Sequence, residues 1–176
     1  DTCREKMVNI SLPSLRIDAF SLDIMGKVQD VKKSSLTFAP EAGSQRLRDV
    51  INKGLTEEVI LKGAAMAFEG GWTRVKLYFM LGLPTETGED IRGIAELCNK
   101  IAATFFETVP KEKRTGQIQI VASTSFFIPK PFTPFQWAAM NTAEEFLDKA
   151  RLTRQAVHEQ LNQKRIKYNW HEADVS

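Results

Sequence analysis

Val75-Lys76-Leu77-Tyr78-Phe79-Met80-Leu81-Gly82-Leu83-Pro84-Thr85-Glu86-Thr87 is the stretch whose reading decides the fold. Seven mostly apolar and aromatic residues run into a glycine and a proline, which punctuate a strand rather than extend it. A helical pattern follows at once. Ile91, Ile94, Ala95, Cys98, Ile101, Ala102 and Phe105 recur at the spacing of one helix face, with Thr87 placed as N-cap and Asp90 as its third-residue partner. Strand, tight turn and capped amphipathic helix make the first two-thirds of a βαβ unit, whose next strand must run parallel.

The alternation continues on both sides. Residues 8–12, 35–39 and 118–122 read as further strands, and 166–170 as a weaker fifth. Helices are predicted over residues 44–53, ending at Gly54 as a left-handed C-cap, and over 56–68, stopped by Gly70-Gly71. A long helix opens at the capping box Thr142/Glu145, with Phe146, Ala150, Val157 and Leu161 as its inward stripe. Residues 18–29 are apolar enough for a helix of muddled period. The pattern is that of an α/β fold: a mostly parallel sheet of four to five strands in a single domain over 1–176, with 166–176 a weak terminal strand and tail. The Pro-rich stretch from Ile128 to Phe135 cannot continue a strand or a helix; its aromatics predict an ordered loop that packs down.

Bulk properties narrow the function classes. At 176 residues and 43% hydrophobic, the chain can bury a real core. A formal charge of +2, from 24 basic and 22 acidic side chains, gives no reason to expect nucleic acid or an anionic membrane as partner. No apolar run approaches the roughly 20 residues that cross a bilayer, and no leader pattern opens the chain, so a cytoplasmic protein is expected. The absence of an initiator Met fits a piece of a longer chain. Cys3 and Cys98 are too far apart for a zinc motif or a disulfide framework, and Cys98 falls on an apolar helix stripe as a buried thiol. His158 and His171 lack the partners that a metal or a triad would need.

Parallel βα architectures carry their ligand loops at the strands' carboxyl ends. Three polar sets are expected there. Glu41, Gly43 and Ser44 form one strand-to-helix turn suited to hydroxyls or a polar head group, although Ser44 as a plain cap and Glu41 as a solvated rim carboxylate is the simpler reading. Gly82 and Glu86 form the second, where the glycine permits close approach and Glu86 can accept N–H bonds from a neighbouring turn. Ser14 and Arg16, after Pro13, form the third, where the arginine can clamp a substrate carboxylate or join a surface ion pair.

Taken jointly, three blocks carry a resemblance: residues 36–44 (Leu-Thr-Phe-Ala-Pro-Glu-Ala-Gly-Ser), 77–87 (Leu-Tyr-Phe-Met-Leu-Gly-Leu-Pro-Thr-Glu-Thr) and 127–137 (Phe-Ile-Pro-Lys-Pro-Phe-Thr-Pro-Phe-Gln-Trp). In order and separation they resemble the radical S-adenosylmethionine enzymes, over roughly residues 8 to 140. The third block looks most like a bacterial branch whose full-length members carry a cobalamin-binding-type domain ahead of the radical domain. The resemblance implies a partial (β/α) barrel with helices on its outer face. It implies a [4Fe–4S] cluster on a C-x₃-C-x₂-C loop, and S-adenosylmethionine cleaved to a 5′-deoxyadenosyl radical that abstracts hydrogen.

This sequence has no such cysteine loop. Its first strand would then be the family's third, and the chain would be the later half of the barrel, inactive alone and missing its N-terminal half as partner. An open sheet edge invites dimerisation. By resemblance, Thr37, Glu41 and Ser44 would meet the cofactor's ribose or amino-acid side, and Met80 and Gly82 its adenine. The family's adenine motif G-x-I-x-G-x-x-G-E is matched only at Gly82 and Glu86, with Tyr78, Met80 and Thr85 standing at its other fixed positions. Cobalamin in the parent protein is compatible with the third block. Two other readings stand beside this one: a barrel glycoside hydrolase using Glu41 and Glu86, and an interaction module presenting the Phe/Pro-rich loop.

Overall fold

A computed structural model of the chain describes residues 35–114 and 116–170. The strand expected at 8–12, the helix at 18–29, the pair Ser14 and Arg16, and Cys3 and His171 lie outside the described residues.

Four strands form one sheet: β1 (Leu36–Glu41), β2 (Arg74–Leu81), β3 (Gln119–Phe126) and β4 (Ile166–Trp170). They lie in sequence order and every neighbouring pair is parallel. Helices fill each crossover: α1 (Gln45–Val50) and α2 (Glu57–Glu69), then α3 (Gly88–Thr108), then α4 (Ala143–His158). A parallel sheet that never reverses its strand order receives all its crossovers on one face, because each is right-handed; that is a length of barrel wall.

Burial follows. On β2, Val75, Leu77, Phe79 and Leu81 are buried toward the helices, whereas Arg74, Tyr78 and the half-buried Lys76 and Met80 occupy the other face. The main core joins these residues to Phe38, Ile120 and Ala122 of the sheet, Ile60 and Ala64 of α2, and Ile94, Cys98 and Ile101 of α3. A phenylalanine such as Phe38, with no exposed surface, contributes about 2 to 3 kcal/mol by burial. A smaller cluster of Ala42, Leu47, Leu83 and Phe127 sits apart, built from α1 and the loops beyond the strands' carboxyl ends.

Each helix start is a sequence feature made physical. Thr87 accepts from the Asp90 amide while Asp90 accepts from that of Thr87, and Thr142 and Glu145 repeat the arrangement on α4. Thr56 caps α2 and Ser44 caps α1. Some expectations are corrected. The helix over 44–53 is shorter, because the chain turns left-handed already at Asn52 (φ 53°), before Gly54 (φ 62°). The inward stripe of α4 excludes Leu161, which follows the helix end and is 95% exposed.

β3 runs past Ala122 to Phe126. Ser123 and Ser125 alternate onto the face without helices, and the buried Thr124 hydroxyl pairs with the Tyr168 hydroxyl at 2.8 Å, so polarity does not end the strand. The Phe/Pro loop packs only in part. Phe127 and Phe135 meet edge to face at 6.2 Å, but Phe132 and Trp137 are 99% and 89% exposed.

Candidate functional site

The turn after β1 is fixed from three sides. The strand ladder shifts register between Phe38 and Glu41, around Pro40, which has no N–H to give it. Glu41 is left in the left-handed region at φ 68°, a conformation non-glycine residues adopt at some cost. Its carboxylate accepts from Lys53 Nζ at 3.1 Å. Beyond it, Gly43 meets α3 backbone to backbone: a Cβ there would lie 2.6 Å from the Gly93 carbonyl carbon and 2.7 Å from the Asp90 carbonyl oxygen.

Behind the turn sits Arg48, with no exposed surface. Its guanidinium donates to the carbonyls of Ala42 (3.0 Å), Gly43 (2.9 Å) and Leu55 (3.0 Å) and to Gln45 Oε1 (3.1 Å). Burial lowers its pKa, and neighbouring Glu57 and Asp49 partly offset the shift.

Ser44 faces inward. Its hydroxyl accepts from the Leu47 amide and donates to Asp90 Oδ1. Asp90, 4% exposed, also accepts from Arg46 Nε (3.2 Å) and Nη2, and from the amide and hydroxyl of Thr87, both at 2.8 Å. Burial works to raise the Asp90 pKa, but the donors Arg46, Ser44 and Thr87 outweigh it and hold the carboxyl well below the usual carboxylate range. Arg46 Nη2 continues to the Thr85 carbonyl at 2.8 Å. Thr85 is itself left-handed (φ 66°), which gives a physical reason for the glycine that the family motif places there.

The turn after β2 is held by α4. Glu86, its side chain 2% exposed, accepts from the Gly82 amide at 2.9 Å and from Lys149 Nζ at 2.6 Å. Gly82 is left-handed at φ 83°, and a Cβ on it would overlap the Phe146 ring and lie 2.6 Å from Asn141 Oδ1. The glycine therefore admits α4 on its Cα side. Phe146 also stacks on Phe126, centroids 4.4 Å apart, locking α4 to the end of β3.

Between these turns lies a cleft of about 550 Å³ at the strands' carboxyl ends, within the usual range for a small-molecule site. Its lining includes Glu41 and Lys53, Met80 and Leu83, and Ser125 and Phe127. Of the sequence-derived residues the structure brings Glu41 and Met80 together here. Thr37 sits four residues earlier on β1, roughly 13 Å along the strand, and Ser44 and Gly82 serve the turns themselves. Glu86 is committed to Gly82 and Lys149, away from the cleft lining, so it does not face Glu41 across the cleft as a hydrolytic pair would. The sequence reading missed Lys53, Ser125 and Phe127. Lys53 reaches Glu41 only because α1 folds the chain back over twelve residues, and Ser125 was lost with the end of β3.

A family model described as the Radical SAM superfamily matches residues 2–98. This chain belongs to that superfamily. It is also 43% identical over 129 residues to an uncharacterised protein of Methanocaldococcus jannaschii, an alignment covering 73% of this chain and 26% of that protein. The chain thus spans about a quarter of that relative's length. That relative is uncharacterised, so the matches carry the superfamily and say nothing of the cobalamin-binding-type domain.

Superfamily membership implies S-adenosylmethionine and a [4Fe–4S] cluster in the parent protein. The described residues do not fit the cluster: none of their His, Cys, Asp and Glu side chains gather in threes to hold a metal, and Cys98 is fully buried with its thiol pushed up to about 12 by desolvation. The cleft does fit a nucleoside-sized ligand, with mostly apolar walls, the Glu41–Lys53 pair and the further cation Lys130. Among the described residues no helix is long and apolar enough to cross a membrane.

Proposed function

We propose that this chain supplies the S-adenosylmethionine-holding strand ends of a cytoplasmic radical S-adenosylmethionine enzyme, and that the cluster ligands lie outside these residues. The observation that carries the reading is the carboxyl-end cleft, where Glu41 at the end of β1, Lys53 after α1 and Met80 near the end of β2 come together. The whole sequence holds two cysteines, fewer than the three thiolates that would leave one iron of a four-iron cluster open. Bound S-adenosylmethionine would supply a reactive adenosyl group, once a reduced cluster is at hand.

The chain's own part is binding and orientation. Met80, Leu83 and Phe127 offer an apolar seat that excludes water. Lys53 and Glu41 present opposite charges suited to the carboxylate and ammonium of the cofactor's amino-acid end. Asp90 and Arg48 fix the turn that carries Glu41. Ser44 positions that turn through Asp90. Thr37, four residues back along β1 from Glu41, is not among the residues that line the cleft.

Saturation-transfer NMR on the whole chain tests this. Saturable binding of S-adenosylmethionine is expected, weakened about tenfold by Met80→Asp or by Lys53→Met. Unchanged binding in both variants, or none in the parent chain, refutes the assignment.

A further inference from the structure

At the opposite end of the sheet, a second cleft of about 530 Å³ opens where the strands begin. Its lining carries four cations, Arg74, Lys164, Arg165 and Lys167, with Thr73 and Gln119 between them. Among the described residues no carboxylate lines it. Its polarity is the reverse of the carboxyl-end cleft, which is mostly apolar.

The register explains the gathering. Arg74 of β2 pairs with Gln119 of β3, and Val121 pairs with Lys167 of β4, so the cations on β2 and β4 flank β3 from both sides. Two strand spacings and a two-residue offset along the strands separate Arg74 from Lys167 by roughly 12 Å. Arg165 and Lys164 belong to the short 3₁₀ turn that leads into β4, and bring two further charges to the same rim. Six cations of the described chain, Arg46, Lys53, Arg92, Lys100, Lys149 and Arg151, have carboxylate partners, and the other unpaired ones, such as Lys62, Lys111 and Lys113, lie outside this cleft's lining. Arg74, Lys164, Arg165 and Lys167 make no ion pair among the described residues. Four like charges so placed repel one another, and an anion seated between them relieves the repulsion. Two guanidiniums among the four favour an oxyanion that can accept paired, bidentate hydrogen bonds, as phosphoryl and carboxylate groups do. The volume suits a small molecule rather than a nucleic-acid strand.

We infer that the amino-end cleft is a binding site for a small polyphosphorylated or otherwise multiply anionic metabolite, separate from the carboxyl-end cleft. It stands independently of the function proposed above.

Calorimetric titration of the whole chain with inorganic tripolyphosphate and with orthophosphate tests it. One saturable site is expected, tighter for the tripolyphosphate, with affinity falling as salt rises from about 50 to about 200 mM. Arg74→Gln with Arg165→Gln should weaken it at least about tenfold. Lys111→Gln with Lys113→Gln, which removes the same charge from another surface, should leave it unchanged. Should the arginine pair fail to fold by circular dichroism, Lys164→Gln with Lys167→Gln, at two exposed positions, takes its place. Absence of saturable binding overturns the inference, as does equal weakening by the control pair or binding of single-stranded oligonucleotide alone.

Discussion

Replacing Asp90 by asparagine removes the charge at which two strand-end turns meet. The carboxylate accepts from Ser44, from two nitrogens of Arg46, and from the amide and hydroxyl of Thr87. The amide keeps one acceptor oxygen and turns the other position into a donor, which then faces donors. The lost N-cap interaction is worth about 1 kcal/mol, and the weakened charge-assisted bonds in a nearly buried setting about 2 kcal/mol more, so Asp90→Asn should cost about 3 kcal/mol near pH 7. Urea unfolding of both proteins across a pH series is the assay.

The pH dependence is the sharper part. Asp90 is held far below its unfolded value, near 3.9. Its contribution is therefore fully present above pH ~4 and lost as pH falls toward the native pKa, because the unfolded chain then binds a proton that the native one does not. The stability gap between the two proteins should narrow by about 1.4 kcal/mol per pH unit below pH ~4, other carboxylates cancelling in the difference. A gap that stays constant from pH ~7 to ~3 would refute the account of Asp90 as the charged centre of this network.

Three further outcomes are expected. Gly43→Ala should destabilise by about 3 kcal/mol or more in thermal unfolding, since the new methyl meets only backbone of α3, and Gly93→Ala, whose nearest contacts are at 3.2 Å, should cost less. Lys149→Met should cost about 2 to 3 kcal/mol by leaving the buried Glu86 carboxylate without its cation, and adding Glu86→Gln should restore part of the loss in a double-mutant cycle. Cys98 should resist a thiol-labelling reagent near pH 8 in the native chain and react promptly on unfolding, as followed by mass spectrometry, because its thiol is buried and shifted up to about 12.

The parts legible in the sequence were those set by local chemistry. The stripe from Ile91 to Phe105 and the capping boxes at Thr87 and Thr142 are one-dimensional signals, and the structure realises each of them. Parallel pairing followed from alternation because a parallel sheet needs a crossover at each step. The site was less legible, since its residues act through space. Gly82 looked like a place for a ligand to approach, but its open side is taken by Phe146, sixty-four residues away. Ser44 and Asp90 looked like two separate helix caps and are hydrogen-bonded to each other across α1 and α3. Arg48, a buried cation without a carboxylate at bonding distance, gives no signal in a helix that otherwise reads as surface.

That arginine has a dynamic consequence. By tying the carbonyls of Ala42, Gly43 and Leu55 to a single planar group, it closes residues 42–55 into a loop with a hub rather than a free edge. Such a segment cannot fray residue by residue without first exposing a bare guanidinium cage to water. Its amides should exchange with deuterium together, as one cooperative unit whose opening would lift Lys53 away from Glu41 in a single event.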